Sequence, residues 1–313
     1  MEIKFYGMSQ KDFEETSLKL ERQKRFLESA YLLNKETGET VLLKEVIISA
    51  YHAPERYYAE IQNRVNTLAR TAQERGLSPL FLTLTLPSKF HAMKERGGQL
   101  VPNERYAGIT PDLAARELTK KFARLRHDRS MKAIAKEERI YLRVVEPHKD
   151  GTPHLHILLF VPQEKFAVVR SAFERLYRRN GHERKANLVL AIEGEAGGAV
   201  RYVMKYINKV LPLSKAETLS EHERFLNLWY SRHRIGRFSS SRTLAPMELY
   251  RLLFRRFSLY SLTKNQELLT VYRSVQTHKI KHVYSARGEQ IYSYNPFYEL
   301  VKDDAFLPGA GHV

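Results

Sequence analysis

The chain has 313 residues, no cysteine, and 52 Lys plus Arg against 35 Asp plus Glu, giving a formal net charge of +17 and a pI near 9.8. That length can bury a core without covalent staples, and the missing cysteine excludes a disulfide framework and a thiolate metal site. No apolar run approaches the ~20 residues a membrane-spanning helix needs, and MEIKFYGMSQKDFEE lacks the apolar stretch of a signal peptide, so a soluble cytoplasmic protein with a polyanionic partner is expected.

In chain order, EIKFYGM (2–8) reads as a short strand and residues 11–34 as a charged helix with Phe13, Leu18, Leu20, Phe26 and Leu27 at helical intervals. A turn at Glu36-Thr-Gly-Glu leads into a strand-like VLLKEVIISAY. Residues 54–76 open on Pro54 and close on Gly76, the asymmetry of a helix. LFLTLTLP (80–87) is a strand, and KERGGQLVPNERYAG a glycine-containing loop. Residues 111–138 read as a helix with Leu118, Phe122 and Leu125 on one face. RIYLRVVE, the turn HKDGTP and HLHILLFV form an antiparallel hairpin, followed by a helix over 163–179 and a strand in NLVLAIEG. Helices at 199–210 and 246–258 and a terminal hairpin in HKIKHVYSARGEQIYSY complete the chain. Helices and strands alternate around a central hairpin, which predicts an α+β fold with an antiparallel sheet.

The hairpin holds the first chemical signal. His154 and His156 lie two apart on a strand and therefore point the same way, with Leu155 and Ile157 opposite. Leu158 and Phe160 continue the histidine face, so both imidazoles are expected to be buried, where an unpaired polar group costs about 1–3 kcal/mol. Glu146 closes the preceding strand and comes within reach if it lies opposite or diagonal to His154. Two imidazoles and a carboxylate suit Mn²⁺, Mg²⁺ or Zn²⁺ and leave coordination positions open. Ordinary histidines bonded to carbonyls are the alternative, and His148 reads as a solvated turn residue.

The second signal is GAVRYVMKYINKV (198–210). At 100° per residue, Tyr206 falls about 40° from Tyr202, with Lys205 and Lys209 on the same arc and Val203, Ile207 and Val210 on the neighbouring one. The apolar arc anchors the helix, and the other presents two phenols flanked by ammonium groups, whose charge favours phenolate. An amphipathic helix with core-edge tyrosines is the alternative. Residues 199–261 carry a net +8, with 12 Lys and Arg against 4 Glu. Arg232, Arg234, Arg237 and Arg242 stand there among Trp229, Tyr230 and Phe238, cations for phosphate and rings for unpaired bases.

EPHKDGTPHLHILLF followed by YVMKY resembles the HUH endonucleases, in particular the rolling-circle replication initiators of the phage replication gene A type. LFLTLTLPSKFH is similar to that family's first motif, DGTPHxH to the second and YVxKY to the third; IGRFSSSRTLAPMELYRLL resembles the segment that follows, less specifically. Leu155 stands where many members carry an aromatic. The resemblance implies an RRM-like antiparallel core over 78–212, an N-terminal extension over 1–77 and a basic DNA-binding region over 213–313. It implies His154, His156 and Glu146 as ligands of Mg²⁺ or Mn²⁺, and Tyr202 and Tyr206 as nucleophiles assisted by Lys205. Lys209, Arg232, Arg234, Arg237 and Arg242 are then expected on DNA, with Thr83 and Thr85 on a supporting strand. The implied activity is site-specific nicking and joining of single-stranded, hairpin-associated origin DNA through a 5′-phosphotyrosine. No G-x-x-x-x-G-K-[ST] loop occurs, so a host helicase and polymerase are the expected partners, and no membrane. Rival readings are a non-catalytic nucleic-acid-binding protein, a zinc hydrolase built on His148, His154 and His156, and a transposase or relaxase of related chemistry.

Overall fold

The computed structural model describes residues 3–177, 187–191, 196–211, 219–253, 257–275, 282–284, 290–293 and 298–302. Contacts group the chain into two units: residues 1–16 with 65–243, and residues 17–64 with 244–313. Each unit joins a segment from the first 64 residues to a later stretch of the chain.

The first unit is built on a five-stranded sheet. Its strands are β1 (Leu77–Leu84), β2 (Ile140–Pro147), β3 (Pro153–Pro162), β4 (Leu188–Ala191) and β5 (Phe238–Ser240), in the order β4-β1-β3-β2-β5. Every neighbouring pair is antiparallel. Helices α1 (Pro111–His127) and α2 (Phe166–Tyr177) contribute to the main core. Leu118, Phe122 and Leu125 of α1 and Val169 and Phe173 of α2 join Leu80, Leu82, Leu84, Leu155, Ile157 and Leu159 there. These strand residues alternate with those of the histidine face, so one side of the sheet is core and the other is free to carry chemistry. The fold is α+β, as the alternation of elements implies.

The second unit has its own core, in which Leu249, Leu253, Leu259, Leu262 and Leu269 cluster. Its three-stranded antiparallel sheet runs Tyr298–Lys302, Ala30–Asn34, Thr40–Leu42. Glu60, 5 % exposed, takes the Arg251 guanidinium, with Nε 3.0 Å from Oε1.

Several local expectations shift. The helix expected over 111–138 breaks after His127, because the Asp128 side chain accepts from Ser130 N and caps a new turn at Arg129–Lys132. The strand expected in VLLKEVIISAY shortens to Thr40–Leu42, and Leu43–Val46 is a helical turn. The loop after Pro87 contains a hairpin, Met93–Arg96 with Gln99–Pro102, turning on Gly97 and Gly98 at positive φ.

Candidate active site

The register of the hairpin decides the geometry. Glu146 on β2 is directly opposite His154 on β3, and Thr83 on β1 is directly opposite His156. Alternation then puts Phe81, Thr83, Glu146, His154 and His156 on one face. The connecting turn is tight: Gly151 sits at φ +84°, His148 N donates to Thr152 O at 2.8 Å, and Gly151 N donates to His148 O at 2.9 Å. A Cβ on Gly151 would stand 2.2 Å from the Tyr6 carbonyl oxygen, and one on Gly7 would stand 2.6 Å from that of Asp150. From another side, Trp229 Nε1 donates to Gly151 O at 3.1 Å.

Glu146, His154 and His156 each offer a ligand atom, all within 4.8 Å of one another. His156 Nε2 lies 3.2 Å and His154 Nε2 3.6 Å from Glu146 Oε2. These approaches are close but off the hydrogen-bonding directions, so Glu146 Oε2 and His156 Nε2 are buried without a bonded partner. A divalent cation held between them would satisfy both, and the nitrogen and oxygen donors suit one. Thr83 Oγ1 is 3.2 Å from His156 Nδ1, which orients that ring and leaves Nε2 facing Glu146. Burial works against ionisation of Glu146, but His154, His156 and Lys209 outweigh it and hold the carboxyl far below its ordinary range. Burial lowers the His156 pKa, opposed by Glu146 and reinforced by the His154 and Lys209 charges. An ionised carboxylate beside a neutral imidazole is what metal ligation requires.

Helix α3 (Ala196–Val210) brings the tyrosines to this face. Ile207 and Val210 are fully buried and anchor it, while the Val203 side chain lies outside the described residues. The Tyr206 ring lies 4.2 Å from the His156 ring, and the two phenol oxygens are 3.3 Å apart. Phe81, 2 % exposed, stacks on His156 at 5.5 Å and on Tyr206 at 5.1 Å, and meets Tyr202 edge-on at 4.8 Å. Sequence reasoning missed Phe81; its signal is the shared parity with Thr83 in LFLTLTLP.

Four expectations need correction. Lys209 does not flank the phenols as a free cation: its Nζ pairs with Glu146 Oε1. Burial, then the Tyr202 hydroxyl and the Glu146 charge, raise the Tyr206 pKa, so the resting phenol is protonated. His148 is no solvated turn residue; its ring lies 4.2 Å from His154, its Nε2 is buried without a partner, and burial with the His154 and His91 charges pushes its pKa down to about 3. Arg237 is 4 % exposed, stacks 4.4 Å over Tyr230 and donates to Asn227 Oδ1 at 2.9 Å, so it packs the fold instead of offering a surface cation. Lys205, Arg234 and Arg242 are exposed, and Arg232 pairs with Asp12 and with Glu15 at 3.5 Å. Arg232, Arg234 and Arg242 line clefts with Tyr141, Arg143 and Val145, the β2 side chains that face away from Glu146.

The sequence profile of the bacteriophage replication gene A proteins matches residues 5–212 of this chain. The chain belongs to this family. The matched region includes the Tyr6–Gly7 segment that abuts the Asp150–Gly151 turn. The replication gene A protein of Escherichia phage P2 is 33 % identical over 196 residues, 59 % of this chain and 25 % of that protein. The gene A protein of Escherichia phage 186 is 31 % identical over 252 residues, 75 % of this chain and 35 % of its own length. A probable replication endonuclease from a prophage-like region of Escherichia coli O6:H1 is 30 % identical over 249 residues, 72 % of this chain and 30 % of its own. The chain thus spans about a quarter to a third of the length of these relatives. No solved structure matches it. Among the described residues, no helix is long and apolar enough to cross a membrane.

Proposed function

We propose that this chain is the nicking and joining module of a rolling-circle replication initiator, acting on single-stranded origin DNA. The observation that carries the reading is convergence: the Tyr206 ring packs 4.2 Å from His156, itself one of three clustered ligand groups. Relatives named as probable replication endonucleases support it. Glu146, His154 and His156 would hold Mg²⁺ or Mn²⁺, which when bound would supply positive charge to a scissile phosphate. Thr83 and Phe81 fix the His156 ring, and Phe81 also seats both phenols. A tyrosine hydroxyl attacks phosphorus in line, forming the tyrosine–phosphate bond and breaking the bond to the 3′ oxygen. The phenol gives up its proton and the leaving 3′ oxygen takes one up, so no water is consumed. The 3′-hydroxyl primes synthesis, and the 5′-phosphotyrosine keeps the bond energy for rejoining. Two tyrosines allow a second cut while the first still carries a strand. Lys209 joins His154 and His156 in holding the Glu146 carboxylate ionised, and the exposed Lys205, between the tyrosines in sequence, is available for backbone phosphate. A hairpin at the origin and a host helicase and polymerase complete the scheme.

The test is adduct formation on a set of hairpin-bearing single-stranded oligonucleotides with Mn²⁺. Wild type should give a shifted, protease-sensitive DNA band. His154→Ala with His156→Ala, and separately Tyr202→Phe with Tyr206→Phe, should abolish it. An adduct surviving in the double-Phe protein defeats the assignment.

A further inference from the structure

The other side of the same sheet holds a second polar site that the nicking chemistry does not use. Tyr141, Arg143 and Val145 on β2 point away from Glu146. A cleft of about 520 Å³ opens beside Tyr141 and Arg143. Arg126, Lys136, Arg139, Arg143 and Arg242 line it, and among the described residues no carboxylate does. The hydroxyl-bearing Ser239, Ser240, Ser241 and Thr243 line it too. Arg143 donates from Nε to Ser239 Oγ, and the Ser241 and Thr243 hydroxyls are 2.8 Å apart.

Among the described residues, none of these five cations forms a salt bridge, and Glu137 is a nearby opposite charge acting on Arg139. The Nε atoms of Arg126 and Arg139 are buried without an acceptor, and Arg139 Nη1 donates to the Arg126 carbonyl at 3.2 Å. A second cleft, of about 970 Å³, shares Arg143 and Ser239 with the first and adds Arg116, Lys120, Arg232 and Arg234. There Arg116 is 3.6 Å from Asp112, and Arg232 pairs with Asp12 and Glu15. The uncompensated charge therefore concentrates in the smaller cleft, with the larger one extending the path.

We propose that the two clefts form a phosphate track that grips the backbone of duplex DNA beside the nicked strand, on the sheet face opposite the metal ligands. Guanidinium, ammonium and hydroxyl groups are the side-chain groups that most often contact DNA phosphates. Unpaired DNA needs open aromatic faces to stack on. Here the Arg126 guanidinium lies over Phe122 at 5.3 Å and Tyr141 at 5.5 Å, which claims the two carbocyclic rings of the smaller cleft. The proposal rests on the DNA-enzyme reading for its ligand, though not on the tyrosine chemistry.

The experiment uses the full chain, EDTA and a labelled duplex of arbitrary sequence about 25 base pairs long, titrated across a salt series. Lys136→Gln with Arg242→Gln removes two exposed cations and spares the core; Arg126→Gln with Arg139→Gln removes the inner pair. Each double variant should weaken duplex binding about tenfold, and the slope of log affinity on log salt should shrink by about two. Unchanged affinity and slope in the Lys136→Gln, Arg242→Gln protein overturn the track. So does an equal loss on a single strand of the same length, or displacement of the duplex by pyrophosphate at the concentration of DNA phosphate. The assay needs no cutting. A protein that loses duplex affinity as expected yet never nicks would sink the nuclease reading and keep the track, and the converse result would do the reverse.

Discussion

Replacing Phe81 tests whether the site depends on a residue that performs no chemistry. The side chain is 2 % exposed and touches the rings of His156, Tyr202 and Tyr206 at 5.5, 4.8 and 5.1 Å. Truncating a buried Phe to Ala costs about 3–5 kcal/mol through lost transfer energy and the cavity left behind. Aromatic pairs add about 0.5–1.5 kcal/mol each where they are independent, which three contacts on one ring are not. Against a total stability of about 5–15 kcal/mol, Phe81→Ala risks unfolding the protein. Phe81→Leu keeps most of the volume and should cost about 1–2 kcal/mol while removing the ring contacts. Urea midpoints measure the stability loss, Mn²⁺ titration calorimetry the ligand geometry, and adduct yield the phenol placement. Thr83 still holds His156, so metal affinity should fall severalfold, and adduct yield by more than tenfold. If Phe81→Leu loses stability yet keeps both metal affinity and adduct yield, Phe81 is only core and the positioning argument fails.

Other outcomes follow from single contacts. Gly151→Ala must adopt φ +84° and move the Tyr6 carbonyl from 2.2 Å; it should cost at least about 3 kcal/mol by denaturant titration, and an unchanged midpoint would refute the close approach. Burial, reinforced by the Arg232 charge, pushes His233 down to about 4. The unfolded state then binds the proton first, so stability should fall as pH drops from about 6.5 toward 4, by about 2 kcal/mol at pH 5. His233→Gln should flatten the difference between urea midpoints at pH 7 and pH 5; equal pH dependence in both proteins would count against the shift. Arg237→Leu should cost about 2–3 kcal/mol of stability through the Asn227 bond and the Tyr230 stack, without altering the salt dependence of duplex binding. A reduced salt slope would instead place Arg237 on DNA.

The sequence discloses the parts of the site that follow from short-range periodicity. A two-residue period aligns His154 with His156, a short turn sets Glu146 opposite His154, and a helical period pairs Tyr202 with Tyr206. What it conceals depends on contacts between distant segments. The partner of Lys209 is fixed by how α3 seats on the sheet, and nothing in YINKV distinguishes a lysine bound to Glu146 from one in water. Arg237 looks like its neighbours in a basic stretch, but the tight link after α4 (Glu221–Arg232), with Arg234 at φ +52°, turns it inward over Tyr230. The same strand alternation that reveals the histidine face also hides the cationic one, because Arg143 reads as a solvent residue until Arg126 and Arg139 arrive beside it.

The apposition of Gly7 and Gly151 has a consequence for when the protein becomes competent. The turn bearing the ligand hairpin is held by a segment near the start of the chain and by the Trp229 indole, 78 residues downstream. Contacts of such long span form slowly, since the intervening chain must close before they are rewarded. During synthesis the Glu146–His154 pair can zip up early, but its turn stays unclamped until Trp229 has left the ribosome. The geometry of the Glu146, His154 and His156 cluster should therefore become fixed only after the α4 segment carrying Trp229 has been made and has docked on the turn.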